Sequence, residues 1–218
     1  MSKLITFALS AVIMNMAFTA HNVAKAEKLG KEEALAIATD AYIYGYSLIT
    51  TEVTRVQMSN VPKVEGLKSP TGQFLNIQLY PSVDERRITA PNADTLYSIV
   101  WIDLAEPQVF SQPEIANRFF IMEMVDLWMG ILADSPSVLI NDGKAGNYLL
   151  SGPGWMGDVP EGMKHIPVET RYVCILGRTY ADGTEQDFQI VNGIQDHLKI
   201  TPLSAISCQR SLPSRVRS

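Results

Sequence analysis

The segment that most constrains the fold of this chain is TLYSIVWID, residues 95–103. Side chains along a β-strand point alternately to the two faces of its sheet. Both alternating sets are largely apolar here, with Leu96, Ser98, Val100 and Ile102 on one side and Tyr97, Ile99, Trp101 and Asp103 on the other. A strand with two apolar faces has to be covered on both sides. The segment therefore predicts a central strand.

Three other segments have the pattern of buried strands: residues 119–125, 147–150 and 172–176. The strands are expected to end at the residues that follow, which are Asp126-Leu127-Trp128, Gly152-Pro153-Gly154 and Gly177-Arg178. Residues 60–76 are rich in turn formers and predict a long loop that covers a site. Because loops rather than helices connect the strands, an antiparallel sheet or sandwich is favoured over a βαβ repeat.

Helical periodicity occurs on both sides of this strand region. Residues 31–58 carry two apolar stripes at helical spacing, Ile37, Ala41, Tyr44 and Leu48 in one and Tyr42, Tyr46, Ile49 and Val53 in the other. A helix that is apolar on most sides is normally buried. Near the other end, Phe188, Val191, Ile194 and Leu198 predict a short amphipathic helix. The predicted fold class is α+β, with a buried N-terminal helix, an antiparallel β-sandwich and a short C-terminal helix.

The N-terminus has the order of parts found in secretory signal peptides. Lys3 is positive, residues 4–20 are apolar and almost free of charge, and Ala24-Lys25-Ala26 forms a small-x-small cleavage site. We assign residues 1–26 to a signal peptide and predict a periplasmic or secreted protein. The alternatives are an uncleaved membrane anchor and a buried helix, since the apolar run is near the lower limit of a transmembrane span. No later segment is apolar enough to span a bilayer, so no membrane span is expected after signal removal.

The composition argues against several function classes. The formal net charge is −5, and the pair Arg86-Arg87 follows Asp84-Glu85, whereas nucleic-acid binding needs clustered basic residues. The three histidines form no HxH or HExxH spacing, so no metal site and no cofactor are expected. SGPGW, residues 151–155, lacks the GxSxG pattern of a nucleophile elbow.

The two cysteines, Cys174 and Cys208, show no CxxC spacing. Cys174 lies within an apolar strand pattern, which favours a buried free thiol, although a disulfide between the two stays open.

A polar cluster, Pro91-Asn92-Ala93-Asp94-Thr95, directly precedes the central strand. Asn92 and Asp94 are residue types that accept backbone N–H bonds in turns, which predicts that the cluster sets the turn geometry. The alternative is a polar pocket where strand ends converge and a carboxylate pairs with an arginine. The candidate ligand-binding residues of that pocket are Asn92, Asp94, Tyr97, Asp126, Trp128 and Arg178.

Six stretches together resemble the domain of unknown function 1254 family. They are DAYIYGYSLI (40–49), APNADTLYSIVWIDL (90–104), RFF (118–120) with the later Asp126-Leu127-Trp128, GNYLLSGPGWMGDVPEG (146–162), ILGRTYADGTEQD (175–187) and GIQDHLKITPLSA (193–205). The resemblance defines a domain over residues 27–205 and implies an N-terminal helical part with an immunoglobulin-like β-sandwich. It also implies the N-terminal half of the two-domain 1254/1214 proteins, whose second domain is jelly-roll-like, and it implies no established reaction.

The sequence departs from the family pattern in two places. Residues 206–218, ISCQRSLPSRVRS, are basic and have no apolar period where family chains run on toward the second domain. We expect a truncated chain with a disordered tail, and self-association or poor solubility through the uncovered apolar region 194–203. Phe119-Phe120 stand where tyrosines are common in the family, so no tyrosine hydroxyl is available there.

These observations favour a binding or scaffolding domain, whose partner is a small molecule or a protein that the sequence does not specify. The alternative is a hydrolase-type enzyme with Asp94 and Asp126 as acid and base, because general acid–base catalysis needs two carboxylates in different environments near one substrate. The separation of the two carboxylates distinguishes these hypotheses. A close, partly buried pair in a cleft favours the enzyme, and carboxylates bonded to their own turns favour a structural role.

Export gives the first testable prediction. Cleavage after Ala26 should leave Glu27 as the first residue of the mature chain. N-terminal sequencing of protein from the periplasmic or culture fraction checks this, and recovery of an intact Met1 from the cytosol would contradict it.

Overall fold

The computed structural model describes residues 29–84 and 92–210, with side chains described as far as Ile206. The chain divides into two compact units, residues 1–44 and 45–218. The predicted signal peptide and residues 211–218 of the predicted tail lie outside the described residues. Within the part described, no helix is both long enough and apolar enough to cross a membrane.

Four helices and eight strands are formed by the described residues. In chain order they are α1 (Lys31–Ser59), β1 (Leu75–Asn76), β2 (Thr95–Asp103), β3 (Gln108–Gln112), β4 (Phe120–Asp126), α2 (Val138–Asn141), β5 (Gly146–Ser151), β6 (Met163–Pro167), β7 (Tyr172–Tyr180), α3 (Glu185–Gln195), β8 (Lys199–Pro202) and α4 (Leu203–Arg210). The predicted α+β class is therefore confirmed, with an N-terminal helix and short C-terminal helices.

The strands form two four-stranded sheets. The first has the order β1-β2-β7-β4, and all of its pairs are antiparallel. The second has the order β6-β5-β3-β8, and its β5–β6 pair is parallel. The expectation of a purely antiparallel arrangement is wrong at this pair, because residues 152–162 carry the chain back so that β6 runs alongside β5 in the same direction.

One apolar core contains side chains from both sheets. Its buried members include Val100, Ile102, Phe120, Met122, Met124, Val173 and Ile175 from the first sheet and Phe110, Tyr148, Leu150 and Ile166 from the second. On β2 the core-facing residues Leu96, Ser98, Val100 and Ile102 are each buried, and Thr95 and Trp101 on the other face are buried as well. With β1 on one side and β7 on the other, β2 is confirmed as a central strand.

Helix α1 corrects the prediction of a buried N-terminal helix. Only Thr51 and Ser59 are buried along it, and the apolar residues Tyr46, Ile49 and Val53 are exposed. In the second unit, the half-buried and buried positions follow a helical stripe instead: Gly45, Ser47, Leu48, Thr51, Glu52, Arg55, Met58 and Ser59. The periodicity is thus real, but most side chains on the covered face are small or polar, and Leu48 and Met58 are its large apolar members.

Two other element boundaries differ from the sequence-based expectations. Strand β7 continues through Gly177 to Tyr180, so Arg178 lies within the strand and not after it. Helix α4 extends to Arg210, into the segment that was expected to lack regular structure. The amphipathic helix is confirmed as α3, where the Thr184 hydroxyl oxygen accepts a hydrogen bond from the Asp187 amide and caps the N-terminus.

Gly177 gives a prediction about the packing of this fold. A Cβ added there would lie 2.8 Å from Met122 Sδ and 3.0 Å from the Ser98 carbonyl oxygen. Gly177→Ala should therefore lower the free energy of unfolding by about 1–3 kcal/mol, the usual effect of overpacking. In the matched control Gly193→Ala on α3, the new methyl meets nothing within 4 Å, and alanine should stabilise the helix by up to about 1 kcal/mol. Urea unfolding measures both, and a Gly177→Ala variant as stable as the wild type would contradict the close approach.

Candidate functional site

Asn92 holds the turn that leads into β2. Its Oδ1 accepts hydrogen bonds from the Asp94 amide at 2.9 Å, from the Thr95 amide at 3.0 Å and from the Thr95 hydroxyl at 3.3 Å. A side-chain oxygen that accepts backbone N–H groups two and three residues on is the usual stabiliser of such a turn. The turn interpretation of the polar cluster is therefore supported at Asn92.

Asp94 does not share that role. Its side chain is exposed and has no hydrogen-bond partner among the described residues, while its backbone oxygen accepts a bond from the Ala181 amide at 3.0 Å. That bond continues the β2–β7 ladder by one residue. Asp94 thus contributes its backbone to the turn, and its carboxylate faces solvent.

Tyr97 and Arg178 are brought together across β2 and β7. They are partners in the strand register, and the guanidinium carbon of Arg178 lies 5.8 Å from the centroid of the Tyr97 ring. Arg178 Nη2 also donates to Glu123 Oε2 on β4 at 3.4 Å. The predicted pairing of an arginine with a carboxylate therefore occurs, but the carboxylate is that of Glu123.

Asp126 closes the turn after β4 with its own side chain. Its Oδ1 accepts from the Trp128 amide at 2.9 Å and from the Gly130 amide at 2.8 Å, and only 8% of the residue is exposed. The turn places Met129 at a positive φ of 64°. Asp126 is thus bonded to its own turn, which is the arrangement expected for a structural carboxylate.

The strand register separates Asp94 from Asp126. Thr95 pairs with Tyr180 at one end of β7, and Asp126 pairs with Val173 at the other end. Seven residue steps separate Val173 from Tyr180, about 23 Å at roughly 3.3 Å per residue. Asp126 also shares the core face with the buried Val173, whereas Tyr97 and Arg178 lie on the opposite face.

Two sequence-based hypotheses are corrected by this separation. The six candidate residues do not converge on one polar pocket, since Asp126 and Trp128 lie at the far end of the sheet. An acid–base pair needs both groups within reach of one substrate, so Asp94 and Asp126 cannot act as one.

A cavity of about 270 Å³ lies on the outer face of the first sheet, beside Asn92. Its lining is mainly apolar and consists of Met58, Leu67, Ile77, Leu79, Pro81, Asn92, Thr95, Tyr97, Ile99 and Leu176. Sequence reasoning found Asn92 and Tyr97 but missed the apolar residues. The second apolar face of β2, with Ile99, was the available signal, and Leu67 comes from the loop 60–76 that was expected to cover a site.

The wall of the cavity formed by residues 77–81 is fixed at two points. The Ile77 amide donates to the Tyr97 carbonyl at 2.8 Å. The Tyr80 hydroxyl donates to the Ala181 carbonyl, and its ring packs edge-on against Phe188 with centroids 4.9 Å apart. Burial, together with the nearby negative charge of Asp94, raises the pKa of Tyr80 above its ordinary value, so the phenol stays protonated and keeps its hydrogen bond.

The end of α1 forms another side of the cavity. The Arg55 guanidinium lies 3.9 Å from the centroid of the Tyr172 ring on β7, and it pairs with Glu52 at 2.6 Å. Three residues on, Met58 lines the cavity, and its carbonyl accepts a bond from the Ser69 amide at 3.0 Å. A cation–π contact of this kind is worth about 0.5–2 kcal/mol, so Arg55 helps hold the helix end over the sheet.

A serine–histidine pair on the second sheet was not found from the sequence. Ser151 Oγ on β5 lies 2.8 Å from His165 Nε2 on β6, and the Trp155 ring packs against the His165 ring at 5.3 Å. Such a pair activates a serine only where a substrate can reach the hydroxyl. Because Ser151 is 2% exposed, the pair serves to join β5 to β6.

Metal ligation has no support from the geometry of the described residues. Among them, no three His, Cys, Asp or Glu side chains are grouped to hold a metal ion. Cys174 carries a free thiol, as predicted, and burial raises its pKa to about 12. A thiol with such a pKa is protonated at neutral pH and is a poor nucleophile.

A comparison with protein families shows which family this chain belongs to. The family described as "Protein of unknown function (DUF1254)" matches residues 71–202, more than half of the sequence. The chain belongs to the DUF1254 family.

A solved structure resembles this DUF1254 domain. The VPA0106 protein from Vibrio parahaemolyticus superimposes with a TM-score of 0.63 at 24% sequence identity, over 82% of this chain and 42% of that one. This likeness concerns the fold alone, and the chain spans less than half the length of that protein. A comparison with curated proteins found no match.

The two aspartates should respond differently to truncation. Asp126→Ala removes the charged acceptor of the Trp128 and Gly130 amides, so it should cost about 1–3 kcal/mol of unfolding free energy. Asp94→Ala removes an exposed side chain and should change stability by less than about 0.5 kcal/mol. Thermal or urea unfolding of the two variants decides this, and a large loss with Asp94→Ala would show that its carboxylate has a structural role after all.

Proposed function

We propose that this DUF1254 domain binds a small, largely apolar molecule in the cavity beside Asn92. The observation that carries the proposal is a space of about 270 Å³ whose walls are mostly Leu, Ile, Met and Pro side chains. For comparison, an engineered apolar cavity of about 150 Å³ stays dry and binds benzene. A ligand up to roughly twice the size of benzene therefore suits this cavity.

The walls of the cavity are held in place without a ligand. Residues 77–81 are bonded to β2 at Ile77 and to the segment after β7 at Tyr80. Arg55 stacks on Tyr172 and keeps Met58 in position over the sheet. Binding to a preformed cavity avoids the cost of ordering loops, which supports ligand binding over a cavity that merely results from loose packing.

The proposed site differs from the polar pocket that the sequence indicated. Asn92 and Tyr97 line it, and Arg178 supports Tyr97 from outside. Asp94, Asp126 and Trp128 are not among its lining residues. A binding domain is favoured over a hydrolase because, among the described residues, no carboxylate, histidine or cysteine lines the cavity.

Two further parts of the proposal rest on sequence and topology. The apolar run and the Ala-x-Ala site of residues 1–26 support binding outside the cytoplasm, in the periplasm or the medium. Two four-stranded sheets that contribute to one core support an immunoglobulin-like sandwich as the framework of the site.

Filling the cavity tests the proposed function. Leu176→Trp puts an indole into the space and should weaken naphthalene binding by more than about tenfold, or 1.4 kcal/mol. The matched control is Val125→Trp, a half-buried position on the same face of the sheet that does not line the cavity. Naphthalene fluorescence titration gives the affinities, with unfolding curves to show that both variants are folded. Equal binding by the two variants would place the ligand elsewhere.

A further inference from the structure

We propose that the ligand of this cavity is a neutral molecule with a carbonyl or similar hydrogen-bond acceptor on an apolar body. This inference rests on the proposed function and deepens it. It follows from which polar atoms at the cavity are already bonded, which are not, and how charge is distributed around them.

The orientation of the Asn92 amide is fixed by its turn. Its Oδ1 accepts from two backbone N–H groups, of Asp94 and Thr95. An NH₂ group cannot accept hydrogen bonds, so the amide cannot be flipped without losing both. Asn92 Nδ2 therefore points away from the turn, and no described residue accepts a hydrogen bond from it. Because Asn92 lines the cavity, its amide offers a donor to a ligand.

Tyr97 offers a second donor. Its hydroxyl has no hydrogen-bond partner among the described residues, and the residue lines the same cavity. Two contacts fix the position of the Tyr97 ring. Its strand pairs with β7, and the Arg178 guanidinium lies against the face of the ring. The Thr95 hydroxyl, by contrast, donates to Asn92 Oδ1. Two polar groups are thus left for a ligand. The Asn92 NH₂ group can only donate a hydrogen bond, and the Tyr97 hydroxyl can also donate one.

The charges around the cavity disfavour an ionised ligand. None of the lining side chains among the described residues is charged. Arg178, which lies against the Tyr97 ring, is already paired with Glu123, whose side chain is only 17% exposed. A carboxylate placed among Leu, Ile and Met side chains would lose its hydration without gaining a cation from the described lining residues. An ammonium group would find no carboxylate among the described lining side chains to replace its hydration. A ketone, ester or amide oxygen matches both free donors without this cost.

Three probes of one chain length separate the possibilities: 2-nonanone, nonane and nonanoate, measured by ligand-observed NMR at pH 7. Relative to the partition of each probe from water into an alkane, we expect 2-nonanone to bind wild-type protein about tenfold more tightly than nonane, the equivalent of one or two net hydrogen bonds. Nonanoate should bind at least about tenfold more weakly than 2-nonanone, because it is desolvated without a partner. Tighter binding of nonanoate would overturn the neutral-ligand inference while leaving the cavity as the binding site. No binding of any probe would overturn both the inference and the proposed function.

Asn92→Asp provides a readout that a purely structural role would not change. Aspartate keeps an oxygen that caps the turn, so the melting temperature should stay near that of the wild type. The variant replaces the free NH₂ by a carboxylate oxygen, and 2-nonanone binding should fall by about tenfold. It should instead bind 1-nonylamine, which the wild type rejects, through a charge-assisted hydrogen bond.

Tyr97→Phe should weaken 2-nonanone binding by about threefold and leave nonane binding unchanged, since only the hydroxyl is removed. Unchanged preference for the ketone in both Asn92→Asp and Tyr97→Phe would show that these two side chains do not contact the ligand, which would overturn the inference.

Discussion

The pairing of β2 with β7 is the constraint on which the rest of the structure depends. The two strands are in register over nine residue pairs, from Thr95 with Tyr180 to Asp103 with Tyr172. Because side chains alternate along both, one face of this ladder supplies the core that the second sheet shares. The other face carries the cavity and receives the end of α1. A change of register by one residue would exchange the two faces of one strand, so the shared core and the cavity would be lost together.

The sequence predicted those parts of the fold that local patterns determine. The bounds of β2 and its central position were correct because alternation over nine residues, largely apolar on both sides, can be read directly. The covered face of α1 was not, since Gly45, Ser47 and Thr51 pack there while larger apolar residues stay exposed. Hydrophobicity alone identifies the wrong face of such a helix. A glycine predicts the end of a strand, but Gly177 lies inside β7, where Ser98 and Met122 leave no room for a side chain.

The same distinction applies to the site. Asn92 could be predicted as a turn residue because its three hydrogen bonds are local. The relation of Asp94 to Asp126 depends on the sheet order. Since β2 and β4 both run antiparallel to β7, they run in the same direction. A residue before β2 and a residue at the end of β4 must then lie at opposite ends of the strands. The sequence does not reveal this separation, because it does not give the strand order. The cavity itself depends on Met58, Leu67 and Leu79, residues that no single motif connects.

Cys174 gives this domain a built-in reporter. It lies on the outer face of β7 between Tyr172, which Arg55 covers, and Leu176, which shares the cavity with Met58. The residue is half-buried, and burial raises the pKa of its thiol. A disulfide reagent therefore reacts with it mainly when the surrounding segments open, so the labelling rate of Cys174 reports local opening near the cavity. Once Cys208 is replaced by serine, this native thiol reports on the cavity, and a molecule bound there would slow its labelling.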